Sequence, residues 1–424
     1  MRVMFCHDNV FIRGDGGKVY SSGQFPYTLW QRYLETFDEL VVVGRCRELG
    51  ASEATSHLNL SSGPRVSFVW LPNLSSVAGL TVRRPRAAAV LAATMAEVDG
   101  IIVRLPSEIG LLAAALAQKL DKPLAVEAVA CAWDALWNHG TWRGRLYAPV
   151  QTRRMRHAIA RAACALYVSK FMQQRYPSQG TAAVIPDVDL LPPPDTVLHR
   201  RLEHIRTQRG RLVLGLIGSI QHRYKGVHTA LEALARVRDR LPDFELRLLG
   251  PGDPRPWQKR AAACGLADRV RFCSVLPTGE PVLAWLDEVD IYLQPSFQES
   301  LGRALIEAMS RACPAIGSTT GGIPDLLPPE CLHRPGDATR LGDLIVRGAH
   351  DKRWQGGQAR RNFARAKARC NDVLDAPRRA FWDDFRQRMA GPPSHRTLAG
   401  NPSAASLTPP GTHHRARADR RRAG

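Results

Sequence analysis

Residues 295–324 read PSFQESLGRALIEAMSRACPAIGSTTGGIP. The run before them, Ile291–Gln294, predicts a strand that ends at Pro295. Leu301, Ala304, Leu305, Ala308, Met309 and Ala312 then stand at i, i+3, i+4, i+7, i+8 and i+11. That is the apolar stripe of an amphipathic helix, and Pro314 ends it. Ala315–Ser318 reads as the next strand, and strand, helix and strand at this spacing form the unit of a parallel sheet. The helix starts near Ser300–Gly302, where unpaired amides and the positive end of the dipole attract a phosphate.

Glu299 lies just before that helix and Glu307 about two turns into it, so both carboxylates lean toward one place. Each also has a plainer reading. Glu299 serves as a loop carboxylate that complements the dipole, and Glu307 as the middle of a surface ladder Arg303–Glu307–Arg311 at i, i+4, i+8.

Working outward, short β-branched runs alternate with helical stretches over most of the chain. Strands are predicted at Arg2–His7, Glu39–Gly44, Val66–Leu71, Gly100–Arg104, Pro123–Val126 and Ala165–Val168. The series pauses at Pro192–Pro194, where consecutive prolines exclude helix and central strand. It restarts with Leu212–Gly218, Phe244–Leu249 and Val270–Cys273, ahead of Ile291–Gln294 and Ala315–Ser318. The expectation is an α/β protein of two Rossmann-like doubly wound domains facing across a cleft. Their bounds are placed at 1–195 and 196–375, followed by a helix at 376–390 that returns to the first domain and a disordered basic tail at 391–424. Ligands of such sheets bind beyond the carboxyl ends of the strands.

A second segment, GSIQHRYKGVHTALEAL at 218–234, sets Lys225-Gly226 before another amphipathic helix. Together with the seven residues between Glu299 and Glu307 and the downstream Gly-Gly-Ile-Pro, it resembles retaining GT-B glycosyltransferases of family 4, of the bacterial surface-polysaccharide type. ACALYVSK at 163–170 and VIPDVD at 184–189 are similar to the segments closing that family's N-terminal domain.

The resemblance implies a metal-independent enzyme, without a cofactor, that moves a sugar from a nucleotide-diphosphate donor to a saccharide or lipid-linked acceptor with retention of configuration. It puts Lys225 on the donor diphosphate, Glu299 near the transferred sugar and Glu307 on the ribose hydroxyls. Leu301 and Gly302 would offer backbone amides, and Gly16 and Gly17 of the first glycine-rich loop would face the phosphates. The chain departs from the family where an arginine usually precedes the lysine by six residues. Ser219 stands there, and Arg223 is the expected substitute. It also lacks a histidine after the strand of PLAVEAVA, for which Glu127, Asp134 or His139, all expected beyond that strand end, are the candidate replacements. Asp325 follows Gly-Gly-Ile-Pro where glutamate is commoner. These departures motivate the alternative of a degenerate, non-catalytic relative that binds a nucleotide or a partner enzyme.

Composition bounds the rest. The 424 residues carry 59 Lys and Arg against 39 Asp and Glu, a net charge of +20, and contain no apolar run long enough to span a bilayer. The sequence starts MRVMFCHDNVF, with His7 and Asp8 too early for a signal-peptide core, which leads to the expectation of a cytoplasmic protein. The nine cysteines are scattered without a CxxC pair and are expected as reduced, small apolar residues. From Ala135 to Pro186 there is no Asp or Glu but eight basic residues, among them Arg153 and Arg161, which with His157 line one helix face. That face, within residues 143–175, reads either as the solvated side of a surface helix or as a helix apposed to anionic membrane headgroups on the cytoplasmic side. No nucleic-acid partner is expected, because no aromatic stacking platform accompanies the charge.

Overall fold

A computed structural model describes residues 1–23, 25–50, 53–55, 58–138 and 141–391. The first nine strands, β1 (Arg2–Arg13), β2 (Val19–Ser21), β3 (Glu39–Glu48), β4 (Asn59–Leu60), β5 (Val66–Trp70), β6 (Gly100–Leu105), β7 (Leu124–Ala128), β8 (Cys164–Tyr167) and β9 (Thr181–Val184), make one sheet. Seven of them run parallel in the order β5-β3-β1-β6-β7-β8-β9, while β2 adds antiparallel to the far end of β1 and β4 antiparallel to β2. Val3–Cys6 of β1 and Leu40–Val43 of β3 are buried on both faces. An unbroken apolar run is what a sheet covered by helices on both sides requires.

The second sheet is wholly parallel, in the order β12 (Val270–Phe272), β11 (Phe244–Leu249), β10 (Leu212–Ile217), β13 (Ile291–Gln294), β14 (Ala315–Ser318) and β15 (Leu332–His333). In both sheets the strand order reverses next to the first strand, between β1 and β6 and between β10 and β13. Each reversal opens a crevice at the carboxyl edge.

The structure adds strands β2, β4, β9 and β15 to those expected. Their two to four residues are too short for a periodicity, and pairing to a neighbour defines them. The triple proline also does more than stop the series: Pro194 is the N-cap of a helix, Asp195–Thr207. Proline's fixed φ suits the start of a helix as well as it forbids the interior.

The helix Asn371–Ala390 packs on the first sheet's helices, with Trp382 5.3 Å from Tyr33 and 6.1 Å from Phe37 between ring centres. All nine cysteines are free, six of them buried. The tail expected from residue 391 lies, apart from Gly391, outside the described residues.

Candidate active site

The carboxyl end of β13 carries the centre of the site. Lys225 Nζ donates to Glu299 Oε2 at 2.7 Å, and both side chains are only 15% exposed. The same oxygen accepts from Gln294 Nε2 at 3.0 Å. Gln294 is itself held: its amide donates to Ser296 Oγ at 2.8 Å, and its carbonyl accepts from Tyr292 Oη at 2.7 Å. Ser318 and Thr320 hydroxyls both donate to the Ser296 carbonyl, at 2.6 and 2.9 Å. Glu299 is therefore fixed by a cation on one side and a buried, fully paired amide on the other, the condition under which a polar network rigidifies a site.

Two glycines allow this closeness. Gly226 has φ 75°, and a Cβ there would lie 1.9 Å from the Pro295 carbonyl oxygen. Gly321, at φ 55°, would put a Cβ 1.4 Å from the Glu299 carbonyl oxygen, and Gly322 N donates to that oxygen at 3.2 Å. The Gly-Gly of Gly-Gly-Ile-Pro thus forms the floor under Glu299. Lys225 is aimed by Gly218, against whose missing side chain its stem rests.

Gly302, at φ 92°, caps the helix Arg303–Ser310 without a side-chain bond. Glu307 projects from this helix, and the ladder Arg303–Glu307–Arg311 does not form. Arg311 turns to Asp287, with Nε donating at 2.7 Å. The Glu307 carboxylate has no hydrogen bond among the described residues, and burial pushes it up against a partial offset from Arg303. Burial chiefly, then Glu299 and Glu307 in part, also hold the Tyr292 phenol well above its ordinary range. Leu301 is buried beside Gly322.

The remaining candidates are more dispersed. Arg223 is exposed in the short turn before Lys225, and Ser219 Oγ accepts only from Gln221 N at 3.3 Å. Gly16 and Gly17, at φ 64° and 74°, form the open turn between β1 and β2, with nothing within 4 Å of a built Cβ. Glu127 is a correction: it lies inside β7 and not beyond the strand end. Its carboxylate is occupied by Tyr33 Oη at 2.7 Å and Arg104 at 3.2 Å, because a long run of strand residues is buried there. Asp134 lies in the helix Ala132–Asn138, 3.9 Å from Arg175. His139 lies outside the described residues.

The carboxyl edge of the first sheet meets this site. Ser169 Oγ donates to the Ser300 carbonyl at 2.6 Å, Cys131 N to Ser300 Oγ at 3.3 Å and Asn138 Nδ2 to Gln298 Oε1 at 3.3 Å. Asp325, the departure after Gly-Gly-Ile-Pro, accepts from Lys170 N at 3.0 Å.

Sequence reasoning missed two groups. Gln294 was read only as a strand residue, although an amide closing an apolar strand was the signal. His7 sits where β1 leaves β6 and its pairing with β3 slips. Its Nδ1 accepts from Asn9 N at 3.0 Å, which leaves the proton on Nε2. Burial first, then Arg104 and Arg45, push it down to about 3, so it stays neutral. Beside it the Asp8 carboxylate caps the helix Glu108–Lys119 through Glu108 N and Ile109 N at 2.6 and 3.1 Å.

Residues 211–351, which include Lys225, Glu299 and Glu307, match the family Glycosyl transferases group 1. The chain has the GT-B fold, and this segment resembles the group 1 glycosyltransferases. The chain is 28% identical over 357 residues to Protein CapJ of Staphylococcus aureus, covering 84% of this chain and 88% of that protein. A shorter likeness, 34% over 133 residues, covers 29% of this chain and 32% of the amylovoran biosynthesis glycosyltransferase AmsK of Erwinia amylovora. Among solved structures, HepE of Anabaena in complex with UDP and glucose superposes with a TM-score of 0.60 at 17% identity, over 92% of this chain and 99% of that one. Among the described residues no helix is long and apolar enough to cross a membrane, and no group of three His, Cys, Asp or Glu side chains is arranged around a metal position.

Proposed function

We propose that the protein transfers a sugar from a nucleotide diphosphate to a saccharide or lipid-linked acceptor with retention of configuration, in bacterial surface-polysaccharide assembly. The observation that carries this reading is the Lys225–Glu299 pair at 2.7 Å, set between glycine turns in front of the bare amides at Gly302. Negative charge grows on the departing diphosphate as the anomeric bond opens, and a fixed ammonium and amides stabilise it most at that moment.

In this reading the bond from the anomeric carbon to the phosphate oxygen breaks. The acceptor hydroxyl bonds to that carbon from the same face, and its proton passes to the departing phosphate oxygen. Lys225 and Arg223 hold the diphosphate without a metal. Glu307, a carboxylate with no hydrogen bond among the described residues, accepts from the ribose hydroxyls. Ser219, Leu301, Gly302, Gly16 and Gly17 offer backbone contacts. The likenesses to an amylovoran enzyme and to HepE bound to UDP and glucose support the polymer and the donor class. The unbroken positive charge between residues 135 and 186 supports an acceptor presented at the cytoplasmic face of a membrane.

The test is thermal stabilisation by UDP, GDP, ADP and their sugar conjugates on wild type, Lys225→Ala and Glu307→Ala, followed by NMR of the product's anomeric carbon. A saturating donor shifts melting by several degrees, from a stabilisation of about 2.7 kcal/mol at a hundredfold excess over Kd. A shift for one nucleotide, lost in both variants, with a product of unchanged anomeric configuration, is expected. Inverted product refutes retention, and no shift with any nucleotide refutes the donor assignment.

A further inference from the structure

The helix Trp142–Ala160 shows water a face that a solvated helix does not have. Trp142, Leu146 and Val150 are 67%, 69% and 50% exposed. Arg153, His157 and the C-cap Arg161, also exposed, continue the same stripe, since at 100° per residue all six positions fall within an arc of about 100°. The opposite side, centred on Met155 and Ile159, is buried in the first domain.

The face is thus apolar over its first half and cationic over its second. It is flanked by Arg143, stacked 5.4 Å over Trp142, and by Arg145, 5.7 Å over the exposed Trp137. Only Arg154 turns inward, to Glu108 at 2.7 Å. No carboxylate interrupts the sequence from 135 to 186.

We propose that this face docks on an anionic lipid bilayer, with Trp142, Leu146 and Val150 in the interfacial layer and Arg153, His157 and Arg161 against the headgroups. Aromatic and aliphatic side chains beside arginines satisfy both layers of that boundary, and a basic amphipathic helix lies in its plane. A second copy of the chain would bring the same cations together, and a nucleic acid would leave the apolar half unused. The preceding helix, Ala132–Asn138, touches Gln298, the neighbour of Glu299 in sequence, through Asn138 at 3.3 Å. Docking itself stands apart from the proposed transfer, whereas delivery of a lipid-linked acceptor to the cleft rests on it.

Co-sedimentation with vesicles of phosphatidylcholine, alone or mixed with phosphatidylglycerol, tests the proposal in the full chain, whose arginine-rich tail is the same in every variant. Wild type is expected to prefer the anionic vesicles. Trp142→Ser with Leu146→Ser, and separately Arg153→Gln with Arg161→Gln, are each expected to weaken binding by about tenfold or more. Melting temperature and nucleotide-induced stabilisation should not change. Unchanged partitioning of both double variants overturns the proposal. So does a lipid-free dimer abolished by Trp142→Ser with Leu146→Ser, or an oligonucleotide affinity lost only in the arginine variant. Loss of the nucleotide effect in wild type with vesicle binding intact would count against the donor reading alone.

Discussion

Lys225 Nζ stands 2.7 Å from Glu299 Oε2 in a pair that is mostly shielded from water but not sealed, which is the exposure a ligand site needs. Such a pair gains little stability over an apolar equivalent, because desolvation offsets the attraction. In the proposed transfer its value lies in holding an ammonium in place before the diphosphate arrives. Lys225→Met and Glu299→Gln are each expected to lower kcat by about 10² to 10³, the cost of removing one preorganised charge contact. The double variant should fall little further, since the two residues act as one unit. Steady-state rates of the three proteins check this, and additive losses would show that the pair has no shared role.

Glu307 makes the opposite kind of prediction. Burial raises its carboxyl in the folded state, so the folded protein holds the proton more tightly than the unfolded chain. The unfolded state then binds fewer protons between the two pKa values, and stability falls as pH rises through that window. Glu307→Gln removes the penalty and is expected to raise the melting temperature at pH 7 but not at pH 4, while weakening nucleotide binding. Melting curves at the two pH values, with and without nucleotide, decide it. A variant no more stable at pH 7 than wild type would mean that the carboxylate is compensated.

Gly321 and Gly16 share a left-handed backbone but not a neighbourhood. A Cβ at Gly321 meets the Glu299 carbonyl oxygen at 1.4 Å, whereas one at Gly16 meets nothing within 4 Å. Gly16→Ala therefore carries only the conformational cost of about 1 kcal/mol. Gly321→Ala must move the Glu299 loop and is expected to cost several times more, with loss of activity. Urea unfolding of both variants tests the contrast, and equal losses would show the loop to be soft.

How much of this was readable follows from the physics of each signal. The central strands of both sheets announce themselves as buried apolar runs, and the helix after Glu299 through its 3.6-residue stripe. β2, β4, β9 and β15 exist only through their partners, so no local pattern marks them. Glu299 and Glu307 were legible as two carboxylates on one strand–turn–helix unit, whereas Lys225 stood out only through the family resemblance. The partner of Arg311 was not, because Asp287 comes from a different helix and wins over the i, i+4 neighbour Glu307. Glu127 misled for a related reason: a carboxylate inside a strand looks like the start of a loop until Arg104 and Tyr33, distant in sequence, are seen to pair with it.

That buried cluster also sits where the chain passes between the domains. Arg104 on β6 donates to Glu127 at 3.2 Å and pairs with Asp187, which follows β9, and all three line a cavity with Arg378 and Trp382 of the returning helix. Burial opposes the charge on Asp187, but Arg104 wins and holds its carboxyl below the usual range. For Glu127 burial prevails and the carboxyl is raised. Removing the guanidinium leaves two carboxylates facing each other in low dielectric. Arg104→Met is expected to cost about 3–5 kcal/mol at pH 7, as when one partner of a buried pair is deleted. Part of that loss should return near pH 4, where the stranded carboxyls take up protons, while the wild-type contribution of Asp187 fades as pH falls through its depressed pKa. Urea titrations of wild type and Arg104→Met at both pH values measure the difference. A loss that does not shrink in acid would assign the effect to packing around the guanidinium and not to its charge.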